Sequence, residues 1–419
     1  MPGKALFLGL DLGTSGARAV VVDAIGVQVA SFRSALHEHG TNHRDPVVWW
    51  AVARAAICGV LAQIDARDVR AISVDGTSGT MVALDAAGRP LCDGLMYNDP
   101  CSDTGIVQSI GVHAPATSAA HGATSGAARA MLLARIAPQK VLHQADWISW
   151  HLSGQMVTDA NNALKTGYDP LAARWPDWLD AAGVDLRLLP HVMEPGDRIG
   201  PVTAQAAADF GLSLDCLVVA GTTDGCASFL ATGASLPGDG VTVLGTTLTV
   251  KLLSDHPIFS PKYGIYSHRI LGQWLAGGAS NSGGAALLAH FTPDQLAALS
   301  PLVNPEVDTG LDYYPLPGVG ERFPIADPAL ESRTTPQPAR DADFLHALFE
   351  GVARIEALAF QRLAELGAPP LRAVRSVGVG AANPVWARIR ARRLGVPMQA
   401  SLSDEAAFGT ALLAMQGAT

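Results

Sequence analysis

Along the first part of the chain, apolar residues come in short runs broken by glycine and small polar residues. Residues 6–10 and 17–22 read as two strands around the turn GTSG, and residues 71–74 as a buried strand. A run of small side chains over 117–126 reads as loop or helix start, with helices over 127–136 and 145–152. Residues 217–220 form a short apolar run ending at Gly221, as a strand entering a loop does. The strand–turn–strand pattern then returns as VTVLGTTLTVKLL over 241–253. This repetition predicts an internal duplication with its boundary at 233–240, hence two domains, 1–236 and 237–419. The clearest helix covers 342–366, where Phe344, Leu345, Leu348, Phe349, Val352, Ile355, Leu358 and Leu366 fall at helical spacing. Asp341 or Asp343 is expected to cap its start and Gly367 to end it. Residues 375–379 follow as a strand and 384–394 as a helix, while TTPQPARDAD reads as a polar loop.

A length of 419 residues with 48% hydrophobic content exceeds one ordinary core and agrees with two domains. The net charge of −9, with no basic stripe, argues against a nucleic-acid partner. No apolar run is long enough to span a bilayer and no signal-peptide pattern starts at Met1, so no membrane partner is expected. The five cysteines are scattered, odd in number and without CxxC spacing, which suits free thiols in a reducing cytoplasm. The histidines show no metal-ligand spacing.

Candidate chemistry starts at the two turns. In Gly13–Gly16 successive backbone N–H groups can converge on an anion, with hydroxyls from Thr14 and Ser15 and a cation from Arg18. Asp11 just before the turn would repel a bare phosphate, but it makes sense with Mg²⁺ between them. An ordinary hairpin with a solvated Asp is the competing reading. The second turn, Leu244–Thr247, repeats the chemistry without the acid through Gly245, Thr246 and Thr247. Two such turns can hold one polyphosphate from opposite sides. No G-x-x-x-x-G-K-[ST] pattern occurs, so nothing supports a P-loop.

With these motifs in order, the chain resembles the FGGY carbohydrate kinases, of the superfamily of hexokinase, actin and the large heat-shock chaperones. GLDLGTSGARAVVVD matches the family's first phosphate motif, GRPLCDGLMYNDPCSD its sugar segment, and LSGQMVTDANNALKTGYDP the segment after the first-domain helices. AGTTDGCAS matches the loop that bears the catalytic Asp, and VLGTTLTV the second phosphate motif. GVGAANPVWARIRARRLGVP resembles the adenosine segment and AAFGTALLA the closing helix. The resemblance implies two ribonuclease-H-like α/β domains with an interdomain cleft, sugar held on the first and ATP on the second, and Mg²⁺ as cofactor.

The resemblance makes Asp224 the general base toward a sugar hydroxyl; a turn-forming Asp before Gly is the alternative. Asp11 becomes a ligand of metal or sugar. Thr77, Ser78, Asn98 and Asp99 become candidates for sugar hydroxyls, against plain turn and cap chemistry. Gly380, Ala381 and Asn383 would leave room for the nucleotide, and Trp386 would flank adenine or lie in the core. Gly277, Gly278 and Ser280 are expected in the same cleft. Tyr97 stands where the family has Trp, and Cys101 where it has Arg. Thr77, Ser78 and Gly79 replace the Gln-Met-His of xylulose kinases, and this resembles the short D-ribulose kinase branch. D-Xylulose, L-ribulose, a polyol or glycerol remain alternative acceptors. An ATP-switched actin- or chaperone-like protein and a sugar sensor are the rivals from other classes. Monomer and homodimer both stay open.

Overall fold

The structure is a computed structural model describing residues 5–419, so the reading at Met1 lies outside the described residues. Contacts gather the chain into two compact units. The first contains the described residues up to Ala231 together with His268–Gly272 and Glu405–Thr419. The second contains Thr232–Ser267 and Gln273–Asp404.

The first unit is built on β1 (Leu6–Leu12), β2 (Gly16–Asp23), β3 (Gln28–Ala35) and β4 (Val69–Gly76). A ribbon of β5 (Met81–Leu84) and β6 (Lys140–His143) and a short pair of β7 (Val157–Asp159) and β8 (His191–Met193) follow. β9 (Arg198–Pro201) and β10 (Leu217–Thr223) complete the large sheet. Its order is β3-β2-β1-β4-β10-β9. β1 is antiparallel to β2 and parallel to β4, and β4 is parallel to β10. Every residue of β1 is buried, as expected of a parallel strand covered on both faces. One cover is the helix Ala406–Ala418. It lies against Gly9 so closely that a Cβ there would sit 2.2 Å from the Ala407 carbonyl oxygen.

The second large sheet is built from β11 (Asp239–Leu244), β12 (Leu248–Ser254), β13 (Tyr266–Ile270), β14 (Gln273–Ser280), β15 (Ala373–Val377) and β16 (Met398–Gln399), ordered β13-β14-β12-β11-β15-β16. β11/β12 is an antiparallel hairpin with β15 parallel to β11 and β16 parallel to β15. The path β3-β2-β1-β4-β10 is thus repeated as β14-β12-β11-β15-β16, the duplication expected from the two similar turns. Both units have the α/β, ribonuclease-H-like arrangement expected from the sequence.

The compact units do not follow one cut at residue 236. The final helix, numbered within 237–419, returns to cover β1 and β4, because these strands need an apolar layer on that face. The helix Asp341–Glu365 starts at Arg340 with no side-chain cap, so neither Asp341 nor Asp343 caps it; as helical residues they place charge at the positive end instead. Gly367, at φ 94°, ends it as expected. The apolar pattern of the sequence does not single out the helix Pro46–Leu61. Its buried residues, Val48 and Trp49, Val52 and Ala53, Ala56 and Ile57, Val60 and Leu61, repeat on one face, but the other face also carries apolar residues such as Val47 and Ala55, which blurs the amphipathic period. Among the described residues the five cysteines form no disulfide, and no helix is long and apolar enough to cross a membrane.

Candidate active site

Three adjacent parallel strands of the first unit deliver three carboxylates to their C-terminal ends. Asp11 lies on β1, its cross-strand neighbour Asp75 on β4, and Asp224 immediately follows β10. Such a sheet edge is where α/β folds place ligands. Burial holds the Asp11 carboxyl up at about 6, with the charge of Asp224 adding to the rise and Arg18 opposing it. Asp75 is fully buried and lies well above the ordinary carboxylate range, through burial first and the neighbouring Asp11 second. Its Oδ2 accepts from the Thr410 hydroxyl of the final helix, and its Oδ1 is buried with no hydrogen-bond partner. Of the pair, Asp75 is therefore the one that holds a proton more readily, and Asp11 the one that ionises first.

Asp224 begins the helix Asp224–Ala231, and its Oδ1 accepts from the Gly225 N–H at 2.6 Å. It is half-buried, whereas Asp11 and Asp75 are buried, so it is the most accessible of the three acids. The helix is fixed from behind. Gly409 lies against it so tightly that a Cβ there would be 1.9 Å from the Ala227 carbonyl oxygen. Asn161 ties β10 down further: its Nδ2 donates to Thr222 Oγ1 at 2.9 Å and to the Arg269 carbonyl at 2.7 Å.

The turn after β1 is closed by the Gly13 N–H donating to the Gly16 carbonyl, with Thr14 and Ser15 exposed at its tip. Arg18 is not a lone cation at this turn. It pairs with Asp11 at 3.6 Å and Glu405 at 3.4 Å, because β2 places it opposite Asp11. Thr77 is buried and directs its hydroxyl to the Leu12 carbonyl, and the Ser78 Oγ is buried without a partner. Asn98 is exposed. Asp99 is committed: Arg44 engages both its oxygens, and the Met96 N–H donates to Oδ2 at 2.7 Å. A sugar hydroxyl there would share the carboxylate with Arg44.

In the second unit a cavity of about 650 Å³ opens beside the turn after β11. Gly245, Thr246 and Gly380 line it with backbone, and Leu287, Leu296 and Trp386 with apolar surface. Trp386 is 2% exposed and stacks on Phe349 at 5.0 Å, so it is a core residue presenting part of its ring to the cavity. Asn383 lines the cavity too, but its Oδ1 caps the helix Pro384–Leu394 through the Val385 and Trp386 N–H groups. Thr247, Ala381, Gly277, Gly278 and Ser280 are not among the lining residues. Gly277 is a packing position in the sheet, where a Cβ would meet the Val250 carbonyl at 2.0 Å, and Ser280 donates to Glu321.

Matches to family models cover nearly the whole chain. The N-terminal domain of the FGGY family of carbohydrate kinases matches residues 6–112 and 129–231, and the C-terminal domain matches residues 240–418. The chain belongs to the FGGY family of carbohydrate kinases. It is a phosphotransferase of a family that uses ATP. A xylulose kinase of Streptomyces coelicolor is 28% identical, over 94% of this chain and 84% of that protein. An autoinducer-2 kinase of Yersinia enterocolitica is 27% identical, over 98% and 86%. Among solved structures, a xylulose kinase from Rhodospirillum rubrum superposes with a TM-score of 0.81 at 25% identity, covering 98% of this chain and 89% of that one. A glycerol kinase from Plasmodium falciparum with ADP reaches 0.80 at 15% identity, covering 98% and 89%.

Asp75, Arg129, Asn161 and Thr410 escaped the sequence reading. Asp75 had a signal, since ISVD ends an apolar run in an acid as LGLD does. Arg129, Asn161 and Thr410 sit within helices whose local sequence says nothing of their partners.

Proposed function

We propose that this FGGY kinase transfers the γ-phosphoryl group of ATP to a hydroxyl of a ketopentose, D-ribulose being the preferred acceptor. The observation that carries the reading is the convergence of Asp11, Asp75 and Asp224, with only Asp224 both accessible and held at a helix start. Asp224 accepts the proton of the attacking hydroxyl. Thr77, Ser78, Asn98 and Asp99 meet the other hydroxyls, while the second-unit cavity takes the adenosine. The turn amides of Gly13–Ser15 and of Gly245–Thr247 serve the phosphates.

Among the described residues no cluster of three or more His, Cys, Asp or Glu side chains is disposed to hold a metal alone. The donor set fits an ion that keeps its waters and binds through one carboxylate and phosphate oxygens, as Mg²⁺ does. Asp11, ionised above about pH 6, is the residue that would hold it. When bound, Mg²⁺ supplies charge neutralisation on the phosphates. Asp75 keeps its proton and orients Asp11, and Arg18 limits the negative charge of the cluster. Work in a reducing cytoplasm accords with the undisulfided cysteines.

D-Ribulose and D-xylulose differ at one carbon, and a site that hydrogen-bonds that hydroxyl leaves polar groups unpaired with the wrong epimer. Ser78 and Gly79 in place of Met-His support ribulose; the names of the xylulose kinase relatives support D-xylulose as the second reading. The test measures ADP release with ketopentoses, polyols and glycerol, for wild type and Asp224→Asn. The expected result is a higher kcat/KM for D-ribulose than for D-xylulose, and a fall in kcat of about 10²–10⁴-fold in the variant with ATP binding retained. A clear xylulose preference removes the ribulose assignment, and near-normal turnover by the variant removes Asp224 as base.

A further inference from the structure

We infer that Arg129 is the positioning residue of the acceptor site: from the helix Gly126–Ala134 its guanidinium holds the Tyr97–Asp99 segment and the Gly79 turn together. The inference rests on the proposed assignment of Thr77, Ser78, Asn98 and Asp99 to the acceptor.

Arg129 is 2% exposed, yet no carboxylate contacts it. Its Nη1 donates to the carbonyls of Tyr97 at 3.1 Å and Asp99 at 3.2 Å. Its Nη2 donates to the Thr124 carbonyl at 2.7 Å. Its Nε is buried with no partner. The side chain of Asp99, the nearest acid on that segment, is taken by Arg44. The second loop is brought in by shape. Gly79, at φ 88°, approaches until a Cβ would lie 2.9 Å from Arg129 Nη2, and the neighbouring Ser78 Oγ is also a buried polar atom without a partner.

A buried cation answered only by carbonyls, with one N–H unsatisfied, is a poor way to stabilise a fold. Burial pushes its pKa down to about 10, with only Asp99 opposing. An apolar side chain of similar length would fill the space at less cost. What it would lose is the fixed position of two consecutive-turn carbonyls, and with them the Asn98 side chain between them. The helix that carries Arg129 is itself clamped: Ser125 caps it, and a Cβ at Gly126 would meet Thr166 Oγ1 at 2.4 Å. The guanidinium is therefore aimed from a rigid element at a loop, which is how a binding constellation is held to geometry.

The test compares wild type, Arg129→Met and Arg129→Lys in steady-state kinetics with D-ribulose and with D-xylulose, alongside thermal melts. Arg129→Met is expected to melt at or above the wild-type temperature and to bind ATP with KM within twofold. Its KM for the better ketose should rise at least tenfold, and Arg129→Lys should recover part of that loss. An acceptor KM within twofold of wild type in Arg129→Met overturns the inference. So does a parallel loss of melting temperature, ATP affinity and acceptor affinity in both variants, which marks a purely structural residue. Wild type releasing no ADP with either ketose fails the acceptor assignment itself and is distinguishable from both.

Discussion

Gly409→Ala should damage catalysis from a position no substrate touches. The added Cβ would lie 1.9 Å from the Ala227 carbonyl oxygen and 2.7 Å from the Ala231 nitrogen. Both are backbone atoms, so no side chain can rotate away. A carbon–oxygen contact needs more than 3 Å, so the helix Asp224–Ala231 or the helix Ala406–Ala418 must shift by about 1 Å. The first of these begins with the proposed base, and the second supplies Thr410 to Asp75. A displacement of about 1 Å costs on the order of 10² in rate, and forced overpacking costs about 1–3 kcal/mol. Both helices belong to the first unit, and the cavity proposed for the nucleotide belongs to the second. The variant should therefore show kcat about 100-fold down with an almost unchanged KM for ATP. The assay is sugar-dependent ADP release plus thermal melting, with Gly111→Ala as control, since nothing lies within 4 Å of a Cβ there. A Gly409→Ala enzyme with wild-type kcat and melting temperature would refute the reasoning.

The pH dependence follows from Asp11. If its carboxylate is the working form, kcat/KM climbs as pH rises through about 6. Stability moves the other way, because the folded chain holds the Asp11 proton more tightly than the unfolded chain does. That contribution is present below the ordinary carboxylate value of 3.8 and is lost as pH rises through about 6, roughly 3 kcal/mol in all. Asp11→Asn should accordingly melt higher than wild type at pH 7.5 and equally at pH 3.5 while losing turnover; an unchanged melting difference across that range contradicts it. Ala297→Trp, at the exposed wall of the second-unit cavity, should raise the KM for ATP at least tenfold and leave that for the sugar unchanged. Equal effects on both substrates would deny the cavity to the nucleotide.

The sequence by itself determined the two hairpins, their duplication, the acids Asp11 and Asp224 and the family. These are local matters: a glycine turn between apolar runs is written in consecutive residues, and a strand ending in an acid is legible one residue at a time. It located the long helix and its Gly367 stop by the same means, and missed only its cap, because charged residues near a helix N-terminus serve the dipole as readily as the cap. Only the tertiary structure decided what those residues meet. Arg18 faces two acids because of strand pairing, and Asp99 is spent on Arg44 across 55 positions. Trp386 lies in the core because Phe349 stacks on it, and Gly277 is glycine for the sake of a neighbouring strand. Asp75 joins the site through parallel register with Asp11 and a hydroxyl 335 positions away on the final helix. Contacts of that range depend on how the chain closes on itself, and no local period or spacing encodes them.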